Sequence, residues 1–266
     1  MLDCPELGLP SSLRAATEGA VTLLRLTRAE KRNALDNDTV RGIDRFFANL
    51  PTTTRAVVLH GDGDHFCAGL DLSSLTETDA HQAVLHSRMW HRAFDRIEGA
   101  DVPVIAVLHG AVVGGGLELA CAAHIRVAER SAFYALPEGQ RGIFVGGGAS
   151  VRLPKLIGLH RVMDMMLTGR TYGAEEGVVL GFSQYLTAPG EGLAKALELA
   201  RKIAGNAPLS TFSVLHAMPR IAASGAAEGL FTESLMAAIA SSDGEAKDRL
   251  RAFLDKRAPK VVHDAG

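Results

Sequence analysis

Two runs of branched apolar residues, RAVVLHG at 55–61 and PVIAVLHG at 103–110, most constrain what this chain can become. Neither alternates apolar with polar residues, so each reads as a strand buried on both faces, the signature of a parallel sheet. Between them, residues 81–98 carry Leu85, Met89, Phe94 and Ile97 at helical spacing, which predicts a helix with those four facing inward. Residues 20–27 read as another strand, and residues 39–50 as a helix with Val40, Ile43, Phe47 and Leu50 on one stripe. The HIRVA segment at 124–128 is a further strand. Strands alternating with helices predict an α/β fold with its sheet covered on both sides.

Beyond Ser150 the strand signal fades. AEEGVVLG reads as a short helix stopped by Gly181, and SQYLT as an edge strand. Helical segments follow at 192–205, around Leu209 to Ala222, at 232–240 and at 244–257. The expected division is therefore an α/β core with the active site over residues 1–195 and a helical region over 196–266. The chain has 266 residues, 47% of them hydrophobic, enough for a substantial core. Its net charge of -2 gives no electrostatic case for nucleic acid or a membrane surface. No stretch approaches the roughly 18 apolar residues of a membrane span, and the first residues lack a basic segment followed by an apolar one. Cys4, Cys67 and Cys121 are odd in number and far apart, which suits a reducing compartment better than a disulfide framework. A cytoplasmic protein is expected.

Both long strands end in unusual backbone chemistry. After VVLHG comes DGDHFCAGLDL, and after VIAVLHG comes AVVGGGLELA. Glycine lets a ligand approach the main chain, and the first N–H groups of a helix are unpaired. Two such N–H groups could converge on one oxygen as an oxyanion hole, where each donor is worth about 3–4 kcal/mol. The competing explanation is close helix-on-sheet packing at Gly114 to Gly116. A dinucleotide site is disfavoured because GAVVGGG lacks the G-x-G-x-x-G spacing.

Glu118 falls in the first turn of the next helix, where the helix dipole alone would favour it by about 0.3–1 kcal/mol. Its neighbours Leu117, Leu119, Ala120 and Cys121 argue against a solvated face. Glu138 lies in FYALPEGQRGIFVGGGAS, either as a surface turn residue or as a site wall beside Gly146 to Gly148. Two partly desolvated carboxylates near one water can divide acid and base duties. His81, His86 and His91 are spaced five apart, do not share a helix face, and read as solvated or half-buried. Met163, Met165 and Met166 read as core filler. There is no G-x-S-x-G elbow, and no Cys/His pair suggests a nucleophile.

Taken in order, KRNALD, FCAGLDL, PVIAVLHGAVVGGGLELACAAHIRVA, LPEGQRGIFVGGGASVRLPKLIG, MLTGRTYGAEEGVVLGF and RAFLDKRAP resemble the enoyl-CoA hydratase/isomerase (crotonase) family. The resemblance spans residues 20–259. It implies a crotonase-like core of repeated ββα units, a helical C-terminal trimerisation region, and a homo-oligomer that is a trimer or a dimer of trimers. It implies that the Ala68 and Gly115 N–H groups bind the thioester oxygen, that Glu118 and Glu138 are catalytic, and that the Gly146 N–H helps hold the water. It further implies a coenzyme A pocket from Arg32, Asn33, Ala34, Ala68, Asp71 and Leu72, with Phe253 and Lys256 reaching the same ligand. Val145 departs from the proline found there in many hydratases, which bears on the shape of the acyl pocket.

The implied reaction is addition of water across the 2,3 double bond of an unsaturated acyl-CoA. No metal or redox cofactor is expected, because coenzyme A enters as the substrate thioester. The runs CAAHIRVAE, YALPEGQRGIFVGGG and GFSQYL also resemble the 3-methylthioacryloyl-CoA hydratase subgroup. The alternatives are a thioester hydrolase or isomerase of the same fold, or a non-catalytic scaffold binding coenzyme A or RNA. A paired-carboxylate glycosidase is disfavoured by the lone Trp90 and the scarcity of tyrosine for stacking sugars.

Overall fold

The apolar runs do become strands in the computed structural model, which describes residues 2–74, 79–255 and 257. The first are β1 (Leu2–Asp3), β2 (Leu13–Glu18) and β3 (Val21–Leu26), paired antiparallel. Helix α1 (Asn37–Ala48) leads to β4 (Ala56–Gly61), and α2 (Ala80–Glu98) leads to β5 (Val104–Leu108). Both strands join in parallel, β4 beside β3 and β5 beside β4. Asp36 caps α1 through Thr39 N–H and Asp79 caps α2 through Gln82 N–H, each at 2.8 Å.

The chain then leaves the sheet as β6 (Ala111–Val113), enters α3 (Gly115–Ala122), and returns as β7 (Ile125–Glu129) beside β5. β8 (Phe133–Ala135) pairs with β6 rather than with the main sheet. After α4 (Ala149–Ile157) and α5 (Leu159–Thr168), β9 (Tyr172–Gly173) completes that second, three-stranded sheet. Helix α6 (Ala174–Leu180) ends at Gly181, as expected, and β10 (Tyr185–Thr187) is the edge strand beside β7. The main sheet therefore runs β1-β2-β3-β4-β5-β7-β10.

Successive residues of the central strands enter different cores. Val57, Leu59, Val104, Ala106 and Leu108 face the core that contains α1, α2 and α3. Ala56, Val58, Ile105, Val107 and Val127 face the opposite side, where Ala196, Leu199 and Ala200 cover them. Those three belong to α7 (Gly192–Ala204). Burying one Val, Leu or Ile is worth about 1.5–3 kcal/mol, so this face of the sheet depends on α7. The first compact unit accordingly runs Met1–Ala204, whereas the sequence reading closed the core at residue 195.

The second unit, Gly205–Gly266, is helical over most of its described residues. It contains α8 (Pro208–Phe212), a π turn at Ser213–Ala217, α9 (Met218–Ala223), α10 (Ala226–Ser242) and α11 (Gly244–Leu254). No helix among the described residues is long and apolar enough to cross a membrane.

One helix face differs from expectation. α2 buries Trp90, Ala93, Phe94 and Ile97, but Leu85 is 53% exposed. The early turns of α2 border a cavity rather than the core, with Ala83, His86 and Ser87 on its wall. Of Met163, Met165 and Met166, Met165 is fully buried, Met166 packs on the core, and Met163 is exposed.

Candidate active site

Three backbone turns surround that cavity, which has a volume of about 440 Å³. The first is the loop after β4, with Ala68, Gly69, Leu70 and Leu72 on the wall. The second is the turn from β6 into α3. The third is the long segment after β8, which carries Glu138 and then Arg141 to Gly147. α2 closes the remaining side with His86, Ser87 and Trp90.

Gly114 makes the second turn possible. Its φ is 54°, and a Cβ there would stand 2.5 Å from Oε1 of Glu138. Glu118 follows in the first turn of α3, is 4% exposed, and faces the same cavity as Glu138. The two glutamates, 20 positions apart in the chain, thus line one chamber.

Their surroundings differ. Oε1 of Glu118 accepts hydrogen bonds from Gly147 N–H at 2.8 Å and Ala149 N–H at 3.0 Å. Burial pushes its carboxyl upward, and these two amides, with a smaller contribution from the His91 charge, oppose that rise. Glu138 has a buried Oε2 with no hydrogen-bond partner among the described residues. Burial, reinforced by the charge of Glu118, pushes Glu138 up to about 7. Burial thus raises both carboxyls, but only Glu118 has amide donors that favour its charged form, while Oε2 of Glu138 has none.

The expected oxyanion pair needs a correction. The Ala68 N–H is engaged, donating to the Arg32 carbonyl at 2.9 Å. A short parallel bridge between Leu35 and Leu70 occupies its neighbours, with Gly69 C=O and Asp71 N–H both bonded to Leu35. In a strand-like segment alternate amides point to opposite sides, so the Leu70 N–H turns away from that bridge. It has no backbone acceptor among the described residues. Its nitrogen lies 3.4 Å from where a Cβ on Gly115 would sit. Gly115 opens α3, where its own N–H has no intrahelical acceptor. The available pair is Gly115 with Leu70.

The remaining expected residues divide. Ala68, Leu72 and Gly146 line the cavity, whereas Arg32, Asn33, Ala34 and Asp71 do not. The Asn33 side chain is buried and donates to the carbonyls of Asp62 and His65, at 2.9 and 2.7 Å. Asp71 accepts from Ser73, Arg28 and Lys31, and these bonds hold its carboxyl well below the usual range. Neither side chain is a free ligand for coenzyme A, because each is spent on shaping the loop. Arg32 is exposed, with φ at 52°, and Ala34 is half-buried. Phe253 is exposed on α11 of the second unit, and Lys256 lies outside the described residues.

His86, expected to be solvated or half-buried, is half-buried and lines the chamber, with Nε2 2.9 Å from Oδ1 of Asn37. Ser87 was not singled out at all, yet its hydroxyl donates to the Gly146 carbonyl at 2.7 Å. The available signal was helical spacing, since His86 and Trp90 are i and i+4 on one face.

A model of the enoyl-CoA hydratase/isomerase family matches residues 16–263. The short-chain-enoyl-CoA hydratase of Clostridium acetobutylicum is 30% identical over 243 residues, covering 90% of this chain and 93% of that protein. Among solved structures, a "putative enoyl-CoA hydratase" from Rhodopseudomonas palustris is 57% identical with a TM-score of 0.91. That match covers 97% of this chain and 98% of the other. The enoyl-CoA hydratase of Bacillus anthracis is 29% identical with a TM-score of 0.87, covering 94% and 98%.

Proposed function

This chain belongs to the enoyl-CoA hydratase/isomerase family, with its crotonase fold, and we propose that it hydrates the 2,3 double bond of an unsaturated acyl-CoA. The observation that carries this reading is the opposed environment of Glu118 and Glu138 within one cavity. In this mechanism Glu118 accepts a proton from a water as the water oxygen bonds to C3. The π electrons of the double bond move to C2 and onto the thioester oxygen. Gly115 and Leu70 N–H groups meet that developing charge, and Gly146 N–H helps hold the water. Glu138 then delivers its proton to C2. One water has been added, and proton exchange with solvent returns both carboxyl groups to their starting states.

The coenzyme A arm is proposed to run past Arg32, Ala34 and Leu72, of which Leu72 lines the cavity, with Phe253 and Lys256 contributed by a neighbouring subunit. The chain is proposed to form a trimer or a dimer of trimers. The support is α10, where Leu230, Phe231, Leu235 and Ile239 are exposed, more apolar surface than a solvated helix carries. Within the acyl-CoA class, 3-methylthioacryloyl-CoA is the narrower candidate substrate.

Incubation with crotonyl-CoA in ¹⁸O-labelled water tests the reaction type. Hydration places the label in the hydroxyl of a 3-hydroxyacyl-CoA with the thioester intact. Free CoA with label in the carboxylate would instead mean a thioester hydrolase. Failure on crotonyl-CoA together with conversion of a 3-enoyl-CoA to its 2-enoyl isomer would mean an isomerase. A panel of unsaturated acyl-CoAs that includes 3-methylthioacryloyl-CoA then ranks the substrates.

A further inference from the structure

Gly146 and Gly147 share one peptide unit, and both ends of that unit are held. Its carbonyl oxygen accepts from Oγ of Ser87 at 2.7 Å, and its N–H donates to Oε1 of Glu118 at 2.8 Å. In a planar trans peptide the C=O and N–H point in opposite directions. Ser87 on α2 and Glu118 on α3 therefore grip the same plane from opposite sides.

The grip is needed because little else opposes a flip. Rotating the unit changes ψ of Gly146 and φ of Gly147, and neither residue has a Cβ to hinder it. A side chain at Gly147 is excluded by the approach of Glu118, since a Cβ there would lie 2.8 Å from its Oε2 and 3.0 Å from Cε2 of Phe94. The close approach that demands glycine thus also removes the steric lock. A flipped unit would present the Gly146 carbonyl, rather than an N–H, to the Glu118 carboxylate. The flanking contacts act on other peptide units. Arg152 Nη1 binds the Gly147 carbonyl at 3.1 Å, and Ala149 N–H reaches Glu118 from the start of α4.

We propose that Ser87 is a positioning residue, whose hydroxyl keeps the Gly146–Gly147 peptide turned with its N–H toward Glu118 and so aims the catalytic base. This rests on the assignment of Glu118 as base. The other groups that act on Glu118 are the Gly146 N–H on the preceding peptide unit, His91 on α2, Cys121 on α3 and Glu138 across the cavity. His91 Nε2 is also 3.4 Å from Ser87 Oγ, a longer contact than the one to Gly146.

The test is a ¹³C NMR titration of the protein labelled at glutamate Cδ, with the Glu118 signal assigned by its loss in Glu118→Gln. Ser87→Ala should move the Glu118 midpoint upward, because an amide donor to the charged form is lost. Ser87→Thr, which keeps the hydroxyl, should restore it. With crotonyl-CoA, Ser87→Ala should lower kcat about tenfold, as expected for one hydrogen bond, while KM stays within about twofold. A Glu118 midpoint unchanged in Ser87→Ala, or no restoration by Ser87→Thr, overturns the proposal. Absence of hydration by the wild-type protein would instead sink the assignment of function, and the titration would still read the hold of Ser87 on Glu118.

Discussion

A methyl group on Gly114 would stand 2.5 Å from Oε1 of Glu138, so the turn before α3 is bare because the second carboxyl group occupies the space. Gly114 also has φ at 54°, where a side chain adds backbone strain. Gly114→Ala should therefore act mainly on catalysis. Strain of about 1–3 kcal/mol leaves the protein folded with a lowered melting temperature. Displacing Glu138 by about 1 Å should cost on the order of 10²-fold in kcat. Steady-state kinetics and a circular dichroism melt on the same preparation check both, and activity within twofold of wild type would contradict the packing argument.

The two carboxyl groups also set a pH profile. Glu118 must be ionised to accept a proton, and Glu138 must be protonated to deliver one. Activity rises with pH as Glu118 loses its proton, from a midpoint that burial has raised above the ordinary carboxylate value. It falls as Glu138, held up to about 7, loses its own. The kcat/KM profile should be a bell whose basic limb lies near pH 7 and disappears in Glu138→Gln. The limbs belong to the coupled pair rather than to either residue alone. A profile flat from pH 6 to pH 9 would assign the proton donor elsewhere.

What was legible follows from how each feature is encoded. The strands at 55–61 and 103–110 were plain because burial on both faces leaves an unbroken apolar run. The sheet of β6, β8 and β9 was not, because elements of 3, 3 and 2 residues are too short for any period to register. α7 was read as a helix, but its small apolar face of Ala196 and Ala200 gave no hint that it covers the sheet. The glycine turns were legible as places of close approach. Which amide each turn leaves open depends on the bridge between Leu35 and Leu70, a long-range contact that the local motif around Ala68 does not encode. Ser87 had no local signal, since a serine in a helix looks alike whether it faces water or a carbonyl.

A prediction away from the site concerns acid stability. His60 and His109 stack with ring centroids 4.9 Å apart, and each has a buried Nδ1 without a partner among the described residues. Burial, then the charges of His109 and Arg25, pushes His60 down to about 4 from 6.5. Between those values the unfolded chain binds the extra proton, so stability is full above pH 6.5 and is lost as pH falls toward 4. His60→Phe keeps the stacking and removes that titration. Denaturant unfolding at pH 7.5 and pH 4.5 should show the variant losing about 2 kcal/mol less than wild type across the interval. Equal losses would mean that His60 is not a source of the acid sensitivity.

The central claim is that Glu118 and Glu138 work as one unit on one water, and the kinetics of Glu118→Gln, Glu138→Gln and the double variant test it most directly. With crotonyl-CoA, each single substitution should lower kcat by about 10³–10⁴-fold, with an unchanged fold by circular dichroism. The double variant should be no worse than the poorer single, because groups that act together are not additive. Either single variant retaining a tenth of wild-type kcat, or losses that multiply in the double variant, would contradict the account.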